Sequence, residues 1–465
     1  MADQVTPASS SASTGRSPIP SSVLSKNANF DSGQFTIAGM TATKIAEEFQ
    51  TPLFVIDEED FFTRAATFKD ALESAAGANA GHCYYAGKAF LCKEVVKWVE
   101  KAGLSLDVCT GGELEVALAA GFPTSRIEFH GNNKSVAEIR RAISVGIDLI
   151  IVDSEIELER VSAIATELKK VQSILIRLTP GVEAHTHAYI ATAHEDVKFG
   201  LSIASGAALA LMTKALSLPA INLRGVHFHI GSQITSSEGF ELAIKRTIEF
   251  LADFTKKSGK EIEEFDIGGG YAIAYTGSDT GSDAGDGDVL DPKGIINALV
   301  AAIRGESSRV GITMPKVSIE PGRAIIGPTT ATIYEVGTVK EVELDEGTRN
   351  YISVDGGMSD NIRTSLYDAV YSVALANRIS SAQKKSSRVV GKHCESGDIV
   401  VRDCELPGDV RPGDLLVTPA TGAYGRSMAS NYNHVPRPPV VAIRDGKARV
   451  IVRRETVQDL LGLDL

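Results

Sequence analysis

The sequence predicts an α/β protein: a (β/α)8, TIM-like barrel followed by a second, all-β barrel or sandwich domain. Three observations point there. Between Pro52 and Arg323 eight short β-branched or aromatic runs alternate with amphipathic stretches, the pattern of strands crossed over by helices. After Arg323 the rhythm changes to short β-rich runs separated by turn residues. The 465 residues exceed what a single core usually organises, and 43% apolar with 23% charged residues is an ordinary globular balance.

Residues 1–30 are rich in Ser, Thr, Ala and Pro without periodic apolar positions, so a disordered tail is expected. Arg16 and Lys26, set against Asp3 and Asp31, do not make a transit peptide. Residues 31–51 hold a leading strand at 35–38 that could join the β domain. Within the barrel, 52–323, strands are expected at 82–86, 104–108, 127–130, 149–152, 174–178, 225–230, 265–267 and 317–319. Helices are expected at 113–120, 135–145, 155–168 and 240–257, where apolar positions return every three to four residues. An open doubly wound sheet would give similar local text. Residues 277–288, full of Gly, Ser and Asp, read as a flexible surface insertion. The β domain, 324–465, carries strands at 331–339, 351–354, 399–404, 414–418, 440–444 and 447–453, with one helical stretch at 359–371.

Charge and composition exclude several classes. With 47 Lys+Arg against 59 Asp+Glu the net charge is −12, and no basic stripe offers a surface to phosphate backbones, so no nucleic-acid partner is expected. No apolar run approaches the roughly 18–20 residues that span a bilayer, and Met1-Ala2-Asp3-Gln4 does not open a signal peptide. A cytoplasmic protein without membrane association is expected. Five cysteines (Cys83, Cys92, Cys109, Cys394, Cys404) form no C-x-x-C pair, and the nine histidines form no H-E-x-x-H, so no structural zinc site is read.

In a closed parallel barrel the chemistry sits at the carboxyl ends of the strands. The first run ends Tyr85-Ala86-Gly87-Lys88, which aims a lysine into the barrel mouth. There desolvation is expected to lower its pKa and make it a usable amine; a solvated loop lysine is the alternative. The sixth run ends His227-Phe228-His229, followed by Ser232; alternation puts both imidazoles on the inner face. One could stack on a flat ring, the two could form a hydrogen-bonded core pair, or they could ligate a metal. No carboxylate stands at a suitable spacing for the last, and no metal is expected. The seventh run ends Asp266-Ile267-Gly268-Gly269-Gly270, and the eighth is followed by Glu320-Pro321-Gly322-Arg323. Loops after strands seven and eight often cradle phosphate through backbone N–H groups that only glycine lets approach. An amine (Lys88), a stacking ring (His229), a phosphate cradle (Ser232, Gly269, Gly270, Gly322) and a deep carboxylate (Glu320) match what pyridoxal 5'-phosphate requires. A nicotinamide reading does not explain the lysine, and no G-x-G-x-x-G follows the first strand.

In order along the chain these motifs resemble the fold-type III, pyridoxal-phosphate-dependent amino acid decarboxylases, and within them the branch that acts on meso-diaminopimelate. The resemblance runs from about Thr51 to Pro438. It includes Asp107–Glu113, His130–Lys134, Arg177–Gly181 with His185 and His187, Lys198-Phe199-Gly200, Asp355–Met358, Cys394-Glu395-Ser396-Gly397-Asp398, Gly422-Ala423-Tyr424 and Ser430–Asn433. One departure is Phe90, where many members have Asn after Lys-Ala.

The resemblance implies Lys88 as the Schiff-base lysine, His229 against the ring and Glu320 on the pyridine nitrogen. It adds Arg323 and Tyr424 to the cofactor site. It implies Cys394 as the proton donor, delivered to the cofactor of the other subunit of a homodimer with shared active sites; from its spacing alone an inert buried cysteine is the alternative. Glu395 suits the distal ammonium of a diamino diacid, and Arg323, Arg363, Tyr367 and Tyr424 suit its distal end and carboxylate. On spacing, Arg363 and Tyr367 could equally be an exposed i,i+4 pair. The implied reaction is decarboxylation of meso-2,6-diaminopimelate to L-lysine and carbon dioxide, the last step of lysine biosynthesis. An ornithine- or arginine-type enzyme of this fold would usually carry Asp where Glu395 stands, and would not need a distal-carboxylate arginine. An alanine racemase would want a tyrosine base and no Cys-Glu pair. A non-catalytic pyridoxal-phosphate-binding protein would lack the β domain.

Overall fold

Eight parallel strands close on themselves in the computed structural model, which describes residues 17–182, 198–277 and 291–465. In chain order the barrel strands are Ala80–Ala86, Ser105–Val108, Ile127–Phe129, Leu149–Val152, Gln172–Thr179, Ile221–Phe228, Glu264–Asp266 and Lys316–Ile319. The eighth pairs with the first (Val317 opposite Ala80) and the fourth with the fifth (Leu149 opposite Ser173), so no edge is left and the open-sheet alternative falls.

Local chemistry sets the crossover helices. Gly111–Ala120 starts where the Thr110 side chain accepts from the Glu113 N–H, and Val136–Val145 starts at a Ser135/Glu138 capping box. Both end on a left-handed glycine, Gly121 and Gly146. Their apolar faces pack on the outward side of the strands and join a core continuous with that of the β domain. The second strand face behaves differently. Leu149, Ile151 and Leu175 form a small separate cluster, and Arg224 bridges Asp148 and Glu264 at 2.7 and 2.9 Å. The period-2 alternation of a strand thus divides an apolar shell from a largely polar barrel interior.

The β domain is built on the long strand Thr330–Leu344. It pairs antiparallel with Leu53–Asp57 on one side and with Leu415–Pro419 on the other, then runs on against Gly347–Val354. Val440–Arg444 adds parallel to Leu53–Asp57. The boundary expected at residue 52 therefore shifts: Leu53–Asp57 belongs to the β domain, and the barrel begins after it. Its five residues are all buried, so its sequence suits either sheet, and only pairing decides. Residues 35–38 do not join this sheet. Thr36–Ile37 instead pairs with Ala28–Asn29 and Met40–Thr41 in a small separate sheet.

Other expectations are corrected too. The tail does not extend to residue 30: Ile19, Val23, Leu24 and Phe30 are buried against the main core, and only 1–16 lie outside the described residues. Helix within 359–371 is limited to Arg363–Tyr367, ended by Asp368 at φ 51°. An unforeseen strand, Lys384–Val390, carries polar residues over its first half and so lacks an apolar signature. Residues 278–288 of the expected insertion, and His185 and His187, lie outside the described residues. Among the described residues no helix is long and apolar enough to cross a membrane.

Candidate active site

Four barrel-strand ends and one β-domain loop meet at a single cleft lined by Ala86, Lys88, His229, Ser232, Gly269, Gly270, Tyr271, Glu320, Pro321, Gly322, Arg323, Ala324 and Tyr424. Every residue that the strand-end rule selected for a cofactor is here. Tyr424 reaches the barrel because its N–H donates to the Ala89 carbonyl at 2.9 Å.

Lys88 Nζ lies 3.9 Å from Asp107 Oδ2, and its side chain keeps 38% of its surface open. The expected fall in its pKa is reversed. Burial does push the ammonium down, but the negative groups facing it, Asp107 first and Glu320 among them, outweigh burial and raise it above the ordinary lysine value. Burial also pushes the Asp107 carboxyl up, to about 7, against the downward pull of Lys88.

Beneath the cleft lies a buried, polar floor. Glu320 Oε1 is 2.9 Å from His227 Nε2 and 3.2 Å from His130 Nε2, and His130 is also 3.2 Å from Glu128 Oε1. Glu320 is raised by burial, against the pull of Lys88 and Arg177; Glu128 and Asp266 are raised further, again chiefly by burial. Burial pushes His130, His227 and His229 well below the usual imidazole value, so all three rings are neutral at pH 7. The spacing argument that denied His227 a carboxylate fails, because Glu320 comes from another strand. Asp107, His130 and Asp266, quoted above only as parts of motifs, line this floor. Each stands in or just after a strand end, so the rule that found Lys88 could have found them.

The glycines hold the loops at contact distance. A Cβ on Gly269 would sit 2.3 Å from the Glu320 carbonyl oxygen, and one on Gly322 2.7 Å from Ala86 Cβ. Gly269→Ala should therefore destabilise the protein by about 1–3 kcal/mol through overpacking and weaken cofactor binding. Urea unfolding and cofactor titration check both, and an unchanged affinity would remove Gly269 from the cradle.

The remaining predicted residues divide. Arg323 donates to the Tyr275 hydroxyl at 2.5 Å and to Ser232 Oγ at 3.0 Å, with its guanidinium 4.8 Å over the Tyr424 ring. Arg363 is buried, donates to the Tyr371 hydroxyl and stacks over Tyr275 at 4.8 Å. It is not half of an exposed pair: Tyr367, one turn on, is 62% exposed and outside the cleft. Cys394 and Glu395 are also exposed and outside it, on a loop tied down by Asp398, which accepts from the N–H groups of Met358 (2.6 Å) and His393 (2.7 Å). Cys394 is therefore not an inert buried thiol.

The residues fit pyridoxal phosphate. Glu320 Oε1 and His229 Nδ1 are buried without an aligned hydrogen-bond partner, the loops leave no room for a Cβ, and an amine stands at the rim. A barrel with this lysine, cradle and buried carboxylate defines a pyridoxal-phosphate enzyme. Residues 59–327 match the model of the pyridoxal-dependent decarboxylase, pyridoxal binding domain. Diaminopimelate decarboxylase of Mycobacterium bovis is 52% identical, covering 93% of this chain and 95% of that relative, and that of Bacillus subtilis is 43% identical over the same shares. The crystal structure of diaminopimelate decarboxylase from M. jannaschii in co-complex with L-lysine superposes with a TM-score of 0.86 at 31% identity, covering 95% of this chain and 98% of that one. The chain belongs to the diaminopimelate decarboxylase family.

Proposed function

We propose that the protein decarboxylates meso-2,6-diaminopimelate to L-lysine and carbon dioxide, the last step of lysine biosynthesis, with pyridoxal 5'-phosphate held in the Lys88 cleft. The observation that carries this reading is the convergence of Lys88, His229, Glu320, the glycine loops and Arg323 at one barrel mouth, in a chain 52% identical to a diaminopimelate decarboxylase. When bound, the cofactor supplies a conjugated ring that accepts the electron pair left by the departing carboxylate.

The chain's own residues do the rest. Lys88 is the residue that would hold the cofactor through its aldehyde, supplying the amine at the cleft rim. Glu320, whose buried Oε1 lacks an aligned partner, would hold a proton at the ring nitrogen, so that the ring could bear negative charge. His229, neutral, offers an uncharged face to the ring. Ser232, Gly269, Gly270, Gly322, Arg323 and Tyr424 hold the phosphate side. Arg323 and Arg363, with Tyr424, meet the distal carboxylate; Tyr367 joins them and Glu395 meets the distal ammonium from the other copy, since both lie outside their own chain's cleft.

Cys394 is the proton donor. Its exposure and distance from its own chain's cleft support a homodimer in which each copy delivers Cys394 and Glu395 to the other's site. Five free cysteines support a reducing, cytoplasmic setting. The test is to supply meso-diaminopimelate, ornithine and arginine separately to the purified protein and measure carbon dioxide release. Only the first should react well, and faster release from ornithine or arginine would overturn the assignment.

A further inference from the structure

The structure assigns to Tyr275 the task of joining Arg323 of the barrel to Arg363 of the β domain as one anion-binding pair, making it a positioning residue for substrate selection. Two like charges held near each other repel, and in a half-dry site the repulsion is larger than in water. Natural sites usually offset it with a carboxylate. Among the described residues neither arginine has one: the partners of Arg323 are Tyr275, Ser232 and the Tyr424 ring, and those of Arg363 are Tyr371 and Tyr275.

Tyr275 is built for both. It is 6% exposed, in the stretch that follows the Glu264–Asp266 strand. Its hydroxyl accepts from Arg323 Nη1 at 2.5 Å, while its ring carries the Arg363 guanidinium at 4.8 Å. A phenol does this without cancelling either charge, because a hydroxyl lone pair and a ring face attract cations yet leave the net charge in place. Tyr371, edge-on to Tyr275 at 5.2 Å and 82°, accepts from Arg363 and closes the cage. The two positive charges are kept together, and an anion must come from outside. The cage is also a bridge, since Ser372 N–H donates to the Tyr275 carbonyl at 3.1 Å and ties β domain to barrel at this point. No strand-end rule points to Tyr275, because it lies nine residues beyond the strand end at Asp266.

This inference rests on the proposed diaminopimelate reaction, which removes the carboxylate beside the cofactor-bound amine and leaves the distal carboxylate in place on lysine. Tyr275→Phe removes the hydroxyl and keeps the ring; Tyr275→Leu removes both. In the holoenzyme, Tyr275→Phe should raise KM for meso-diaminopimelate by about 10-fold, the effect of losing one hydrogen bond to a charged group. It should leave kcat within about 3-fold, because the lost contact is uniform binding. Tyr275→Leu should raise KM further. The affinity for lysine, which keeps that carboxylate, should fall in step when read by titrating the cofactor band, whereas the band itself and the affinity for cadaverine, a diamine without a carboxylate, should stay within about twofold of the parent. An unchanged KM in both variants, or an equal loss of cadaverine affinity, would overturn the inference while the reaction itself stood. A parent enzyme that released no carbon dioxide from diaminopimelate would instead overturn the reading on which it rests, and the inference with it.

Discussion

Replacing Lys88 by alanine should abolish the visible absorbance of the cofactor-loaded protein and lower turnover on the order of 10³–10⁵-fold, about 4–7 kcal/mol on the barrier. Lys88 is the lysine that lines the cleft, so no other amine of the site can take over the covalent attachment. Full retention of the band would sink the assignment. The charge state of Lys88 adds a kinetic consequence. Because Asp107 and its neighbours hold the amine above its ordinary value, the ammonium dominates at neutral pH and only the uncharged amine attacks an aldehyde. Loading of the cofactor-free protein should therefore accelerate as pH rises from 7 to 9. A rate that falls or stays level over that window would show that the amine is already free.

Cys394→Ala should fold, bind cofactor with an unaltered spectrum and lose about 10²–10⁴-fold in kcat, the usual worth of a positioned proton donor. The thiol is exposed, so its removal opens no cavity in the core, and a fall in kcat cannot be ascribed to unfolding. Mixing it with Lys88→Ala decides whether sites are shared. If each copy delivers Cys394 to the other, a mixed dimer contains one cleft with both residues. Random reassortment of equal amounts then restores about a quarter of parental activity from two nearly inactive proteins. No recovery on mixing, under conditions where subunits exchange, would place Cys394 in the service of its own chain.

Much of the site was legible because barrels concentrate function at strand ends. Lys88, His229, Glu320 and the glycine loops were found by asking which polar or glycine residue follows each apolar run, and all of them line the cleft. What stayed hidden was whatever depends on a second strand. His227 finds Glu320 at 2.9 Å although 93 positions separate them in the chain, a relation no spacing rule can express. The sign of the Lys88 shift was misjudged for the same reason: burial is readable from an apolar run, but Asp107 enters from the neighbouring strand.

The amino-acid order alone determined the repeat of strand and helix, the lysine, histidine, carboxylate and glycine at the ends of those strands, and the change to β text after residue 323. These are local matters, set by side-chain periodicity, capping and turn chemistry within a dozen residues. The tertiary structure decided that Leu53–Asp57 serves the β domain, that residues 17–30 are packed, that Arg363 is buried while Tyr367 is not, and that Tyr275 stands between two guanidiniums. Each of those outcomes depends on which surfaces meet across the chain. Pairing and electrostatic energies at such meetings are functions of distance in space, which a linear order of residues does not contain.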